Sequence, residues 1–181
     1  MKKSMIFAAC ALVAAASVQA ATVGWSIGKT DAAYKGDAYQ FFVVGQNGVT
    51  DIAAVTALLD KGQDVSSMAF GAGTLTTANG GVTQSYSSSG KSLDAGSYTG
   101  FFVIYDSAAP KSGDTKYVAT APISSGAIAA TAASYTFKGA DQSSLVGNAS
   151  NWKSFGAVPE PCSVALIALG LAAFGLKRKV A

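Results

Sequence analysis

Leu93-Asp94-Ala95-Gly96-Ser97-Tyr98-Thr99-Gly100-Phe101-Phe102-Val103-Ile104-Tyr105 is the stretch on which the fold turns. From Phe101 to Tyr105, large apolar residues follow one another without a polar break. Successive side chains of a strand point to opposite faces. A strand here therefore has two apolar faces and belongs in the centre of a sheet, covered on both sides. A second run of this kind covers residues 38–44, Ala-Tyr-Gln-Phe-Phe-Val-Val. Its Tyr39-Gln-Phe-Phe-Val-Val faintly repeats Tyr98-Thr-Gly-Phe-Phe-Val-Ile, and two similar central strands account for that without a repeat architecture.

Working outward, residues 22–27, 117–121 and 134–138 read as further strands. Residues 68–78 and 82–87 flank Asn79-Gly80-Gly81, a hairpin signal. Residues 85–92 are polar and carry a glycine, so a loop is expected there. Gln46-Asn47-Gly48 marks a turn. A helix starts at Thr50 or Asp51, with Ile52, Val55, Leu58 and Leu59 at helical spacing and Gly62 as the stop. Asp51 suits its positive end and Lys61 its negative end. For residues 123–133 alternation suggests strand and alanine content suggests helix. Residues 139–157 read as a polar linker.

Leu93-x-x-Gly96-x-Tyr98 entering an apolar strand resembles the tyrosine corner of immunoglobulin-like sandwiches. The resemblance implies that the tyrosine hydroxyl bonds back to the backbone and pins the arch. The expected fold is mainly β: an immunoglobulin-like or related β-sandwich with one short helix, plus a C-terminal hydrophobic helix at 164–176.

Both ends of the chain read as targeting segments rather than fold. Met1-Lys2-Lys3-Ser4 is a basic start, residues 5–16 are apolar, and Ser17-Val18-Gln19-Ala20 is a small-x-small cleavage site. Cleavage is expected after Ala20, with Ala21 as the near alternative, so residues 1–20 form a signal peptide for signal peptidase. Cys10 reads as an ordinary residue of the apolar run, since a lipoprotein cut before it would leave almost no such run. At the other end stand Val158-Pro159-Glu160-Pro161, then Cys162-Ser163, an apolar run over 164–176, and Lys177-Arg178-Lys179. The prolines fix φ and remove donors, which holds the tripeptide extended. Thirteen apolar residues reach about 20 Å as a helix, short for a permanent anchor. The basic cluster stays cytoplasmic by the positive-inside rule.

This order over residues 158–181 resembles the PEP-CTERM sorting domain. The resemblance implies processing by exosortase, a membrane transpeptidase-like enzyme, transient membrane anchorage, and company with exopolysaccharide production. Cys162 departs from the Thr or Ser that many members carry after the motif. The competing expectation is a plain C-terminal membrane anchor.

The passenger is placed at residues 21–138. Residues 21–158 hold eight lysines against nine aspartates and lack Cys, His, Arg and Glu. The domain is near neutral, with no basic patch to meet phosphates, so nucleic acid is not an expected partner. No disulfide can form inside it, although the compartment would permit one. Without His or Cys no Ser–His or Cys–His relay can be built. Zinc is not expected either. Asp60 with Asp64, and Asp31 with Asp37, are the conceivable carboxylate pairs, and both read as loop and cap residues. Calcium held by loop aspartates lacks a supporting spacing. Trp25, Tyr39, Tyr86 and Trp152 could form a sugar-stacking platform. Against that stand core packing for Trp25 and Tyr39 and a hydrophobic seal for Trp152. No catalytic residue, metal or cofactor is assigned, and the chain is not expected to be an enzyme. The expected role is a structural or adhesive surface module of the cell envelope or extracellular matrix. The alternative is an exopolysaccharide-binding module, and a distant one is an Asp-dependent glycoside-active enzyme.

Overall fold

The apolar run that ends the quoted stretch lies on β6 (Gly96–Tyr105), and Phe101, Phe102, Val103, Ile104 and Tyr105 are all buried. Its neighbour is β2 (Ala38–Val43), antiparallel from Tyr39↔Ile104 to Val43↔Gly100. The two faintly similar runs are thus adjacent central strands. Their register sets Phe42 opposite Phe101, stacked at 5.2 Å between ring centroids, and Phe41 opposite Phe102 at 4.8 Å. Cross-strand aromatic pairs of this kind contribute beyond the area they bury.

The computed structural model describes residues 20–78 and 81–156, and of residues 77–78 and 81–90 the backbone alone. The remaining elements are β1 (Ala21–Thr30), α1 (Ile52–Asp60), β3 (Gly71–Thr74), β4 (Thr77–Ala78), β5 (Gly81–Leu93), β7 (Lys116–Ala119), β8 (Ile123–Ile128), β9 (Ser134–Lys138), α2 (Ser143–Val146) and β10 (Lys153–Ser154). A first sheet has the order β4-β5-β1-β9 and a second the order β10-β7-β6-β2-β3, with β8 also paired to β6. The protein is mainly β and sandwich-like. β7 and β8 follow one another along one edge of β6. Between them the Thr120 hydroxyl accepts the Phe102 N–H at 3.0 Å.

Two apolar layers result. Val23, Trp25, Ile27 and Phe137 of the first sheet meet Tyr39, Phe41, Phe102, Ile104 and Val118 of the second. The opposite face of the second sheet, with Phe42, Phe101, Val103, Tyr105 and Tyr117, is covered by Val55 and Leu59 of α1 and by Val65 and Phe155. Trp25 ties the sheets together. Its indole donates to the Tyr39 hydroxyl at 3.1 Å, and it stacks on Phe41 at 5.2 Å. Gly71 on β3 has no Cβ because one would lie 2.1 Å from the Trp25 ring.

The helix expected from Asp51 forms as α1, with the Asp51 carboxylate accepting the Ala54 N–H at 2.7 Å. Such a cap satisfies one of the orphan donors of the first turn. The tyrosine corner forms as well, with the Tyr98 hydroxyl donating to the Asp94 carbonyl at 3.2 Å. Residues 123–133, left between strand and helix, begin with strand β8.

Three expectations change. Residues 85–92, expected as a loop, belong to β5, which pairs with β1 from Ala21↔Leu93 to Thr30↔Val82 across two register shifts. Residues 68–78 are not one hairpin arm. β3 pairs with β2 in the second sheet, and only β4 forms the hairpin with β5 in the first. Residues 139–156, expected as a polar linker, fold onto the domain as α2, a 3-10 turn (Ala149–Asn151) and β10, burying Val146 and Phe155. The physical reason is the same each time. Backbone groups and scattered apolar side chains are satisfied by partners distant in sequence, which outweighs local composition.

Ala20 precedes β1 and Ala21 is its first, buried residue, so a cut after Ala20 would leave β1 whole. Residues 1–19, Cys10 among them, and everything from residue 157 lie outside the described residues. So do Val158, Pro159, Glu160, Pro161, the helix expected at 164–176 and Lys177, Arg178 and Lys179. Among the described residues no helix is long and apolar enough to cross a membrane.

Candidate functional site: the exit of the C-terminal segment

The last described residues are strapped to the second sheet. β10 lies antiparallel to β7, with Lys153 opposite Tyr117 and Ser154 opposite Lys116. The Phe155 N–H donates to the Thr115 carbonyl at 2.8 Å, and the Phe155 carbonyl accepts the Gly113 N–H at 2.7 Å. The Phe155 ring enters the outer apolar layer 6.0 Å from the Tyr105 ring. The Gly156 N–H then donates to the Leu59 carbonyl at 2.8 Å, at the end of α1. Gly156 has φ 71°, and a Cβ there would sit 2.1 Å from the Ser112 hydroxyl and 2.8 Å from the Gly62 Cα. Glycine is required on both counts.

Upstream of the strap, an aromatic clip holds the same segment. Tyr34 and Trp152 stack at 5.0 Å, and both donate to the Val146 carbonyl, Tyr34 at 3.1 Å and Trp152 at 2.7 Å. Asp31 caps the turn that carries Tyr34 by accepting the Ala33 N–H at 2.9 Å.

Two cavities flank the strap. One of about 400 Å³ is lined by Gln40, Gly62, Asp64, Tyr105, Ser112 and Phe155 among others. The Tyr105 hydroxyl there donates to Gln40 Oε1 at 2.7 Å. Burial, and secondarily the charge of Asp64, pushes the Tyr105 phenol well above the usual tyrosine range. The other, of about 560 Å³, lies between Ile52 and Thr56 of α1, Tyr117, Leu145 and Lys153. Tyr117 donates to Asp60 Oδ1 at 2.6 Å, and burial followed by that bond pushes its phenol up as well.

Asp60 holds Tyr117, while Asp64 accepts both the N–H and the hydroxyl of Ser66, at 2.8 and 2.9 Å. The Ser66 N–H, then its hydroxyl, hold the Asp64 carboxyl below its ordinary value. Asp31 is spent as a cap, and burial followed by the charge of Asp106 raises the Asp37 carboxyl. Among the described residues no three of His, Cys, Asp and Glu lie together. Trp25 and Tyr39, two members of the proposed aromatic platform, lie in the core, whereas Trp152 is half-buried in the clip. The side chain of Tyr86 lies outside the described residues. The sequence reading missed Tyr34, Phe155 and Gly156. The available signal was a Phe-Gly pair closing a segment that also holds Leu145, Val146 and Trp152.

The chain that leaves this strap has a known counterpart. Residues 157–179 match the PEP-CTERM protein-sorting motif. No curated protein and no solved structure matches the chain. The PEP-CTERM match begins at the residue after Gly156, the last of the described residues. The motif implies processing by exosortase and export to the cell envelope or surface.

Proposed function

We propose that this chain is a cell-surface or extracellular-matrix protein with a structural or adhesive, non-enzymatic passenger, sorted through its PEP-CTERM tail. Signal peptidase removes residues 1–20. The run at 164–176 then holds the protein in the membrane for a time, with Lys177, Arg178 and Lys179 on the cytoplasmic side, until exosortase acts. The observation that carries the reading is the match of residues 157–179 to the PEP-CTERM protein-sorting motif. For the passenger, support comes from how its reactive-looking groups are used. Trp25 and Tyr39 pack the core, Asp51 and Asp31 cap helical turns, and Asp60 holds Tyr117.

The intact mass of the protein from its own bacterium's envelope tests the sorting part. A mass lacking residues 1–20 and the tail beyond the Pro-Glu-Pro tripeptide is expected. A mass that retains residues 177–181 would make the tail a plain membrane anchor. A second reading rests on Trp152, which lines a small cavity with Tyr34, Asp106 and Lys116. Binding of the soluble passenger to exopolysaccharide, lost in Trp152→Ala, would favour a carbohydrate-binding module.

A further inference from the structure

We propose that β9 is a self-association edge, on which a second copy of this chain adds its own β9 antiparallel and joins the two first sheets into one. The proposal goes beyond the sorting reading and stands whether or not the tail is processed.

The free side of β9 follows from its ladder. β9 runs parallel to β1, from Thr22↔Ser134 to Ser26↔Lys138. At its two ends the Thr22 N–H donates to the Ala133 carbonyl at 3.1 Å, and the Gly139 N–H donates to the Ser26 carbonyl at 2.6 Å. A ladder of this kind engages alternate residues of a strand on one side. The odd-numbered residues of β9 therefore bond to β1, and the N–H and C=O groups of Ser134, Thr136 and Lys138 point away from it. Among the described residues no strand pairs with β9 on that side. β8 belongs to the second sheet and leaves room there. A cavity of about 490 Å³ is lined by Ser124 of β8 and by Ser134, Tyr135, Thr136 and Lys138 of β9. A row of outward backbone donors and acceptors beside open space is a template for another strand.

The residues of the edge select a second copy as that strand. Antiparallel pairing centred on Thr136 is the one register in which Ser134, Thr136 and Lys138 all exchange hydrogen bonds with the same three residues of the second copy. Thr136 then faces Thr136, and Ser134 faces Lys138 at either end. Cross-strand threonine pairs are favourable, whereas like charges directly opposite are not. Lys138 is the one charged residue of β9, and in this register it meets serine. The three side chains are already exposed on the outer face, so pairing moves nothing out of the core. On the inner face the half-buried Tyr135 comes opposite Phe137 of the second copy, which carries the apolar layer across the junction. The patch is the same on both copies, so the contact is two-fold and closes on itself.

Disulfide trapping in the native bacterium tests this pairing. It uses the full chain with Cys10→Ala and Cys162→Ser, so that introduced cysteines are the only ones. Across the two-fold the Thr136 Cα atoms lie about 5.5 Å apart, inside the span of a disulfide. The two copies of Ser134 lie about 14 Å apart along the strands, outside it. After mild oxidation Thr136→Cys is expected to give about ten times as much dimer on a non-reducing gel as Ser134→Cys, because only the former meets the distance requirement. Lys138→Cys added to Ser134→Cys is expected to restore the dimer, since each position faces the other. No dimer from Thr136→Cys, or equal dimer from Thr136→Cys and Ser134→Cys, would overturn the pairing and leave the sorting reading standing. A cross-linked species whose mass is not twice that of the chain would assign the edge to another protein and overturn it as well.

Discussion

In the second sheet, β2 and β6 bury aromatic and branched side chains on both faces, whereas in the first sheet β1 and β9 bury one face. The other face leaves Thr22, Thr136 and Lys138 in water. The difference comes from what covers each sheet. The second lies between the first sheet and the layer made by α1, Val65 and Phe155, so each of its central residues has an apolar neighbour. In the first sheet, β1 and β9 face the second sheet on one side and leave Thr22, Thr136 and Lys138 exposed on the other. The second sheet is therefore the energetic centre. Burying one large side chain stabilises by about 1.5–3 kcal/mol, and here that gain accrues on two faces per strand.

Substitution on matched strands breaks or upholds this comparison most directly. Phe102 on β6 is fully buried and contacts Tyr39 and Phe41 rings at 5.9 and 4.8 Å. Phe102→Ala should cost about 3–5 kcal/mol through lost burial and a cavity. The melting temperature should fall by more than about 10 °C. Thr136→Ala, on the exposed row of β9, should stay within about 0.5 kcal/mol. Thermal unfolding followed by circular dichroism measures both, and similar losses in the two variants would remove the ranking of the sheets.

The same division governs what could be read from the sequence. β6 and β2 were legible because their burial on both faces leaves an unbroken apolar run. α1 was legible because Asp51, the apolar spacing and Gly62 lie within a dozen residues of one another. The first part of β5, residues 82–87, was legible from the hairpin signal, but its extension over residues 85–92 was not, since those residues are polar and their reason for being a strand is β1. A buried strand needs backbone partners on both sides, and β1 takes β5 on one and β9 on the other. That demand is set by residues far along the chain. The break between β3 and β4 was hidden likewise, because each pairs with a different sheet. Of the candidate site, the sorting motif was legible because its order is local. The strap was not, because Phe155 shows its role only against Tyr105 and Thr115.

Alkaline titration sharpens the comparison from the outer face of the second sheet. Tyr105 and Tyr117 both have phenols pushed above their ordinary value near 10, chiefly by burial. The folded state thus favours the protonated phenol. This contribution is complete below the unfolded tyrosine value and is lost as pH rises from about 10 towards the folded value. Stability should hold up to about pH 9 and fall above 10. Tyr117→Phe, which also loses the bond to Asp60, should lower stability at pH 8 and flatten the alkaline fall. Urea unfolding across pH 7–11 measures both slopes, and an alkaline fall as steep as in the parent chain would deny Tyr117 its part.

The smallest expected effect concerns the connection between the two sheets. β5 ends at Leu93 in the first sheet and β6 begins at Gly96 in the second, so the tyrosine corner is the crossover itself. Tyr98→Phe keeps the half-buried ring and deletes only the hydroxyl that donates to the Asp94 carbonyl at 3.2 Å. The Tyr98 N–H remains bonded to the Ser125 hydroxyl at 2.9 Å, so the backbone keeps a second hold. The carbonyl is exposed and water can replace the lost donor, which limits the cost to about 0.5–1 kcal/mol. The urea midpoint should fall by that free energy divided by the slope, with the slope itself unchanged. A loss well above about 2 kcal/mol, beyond what one exposed hydrogen bond supplies, would mean that the corner holds the sheets in register. The energetic centre would then lie at the crossover rather than in the doubly covered sheet.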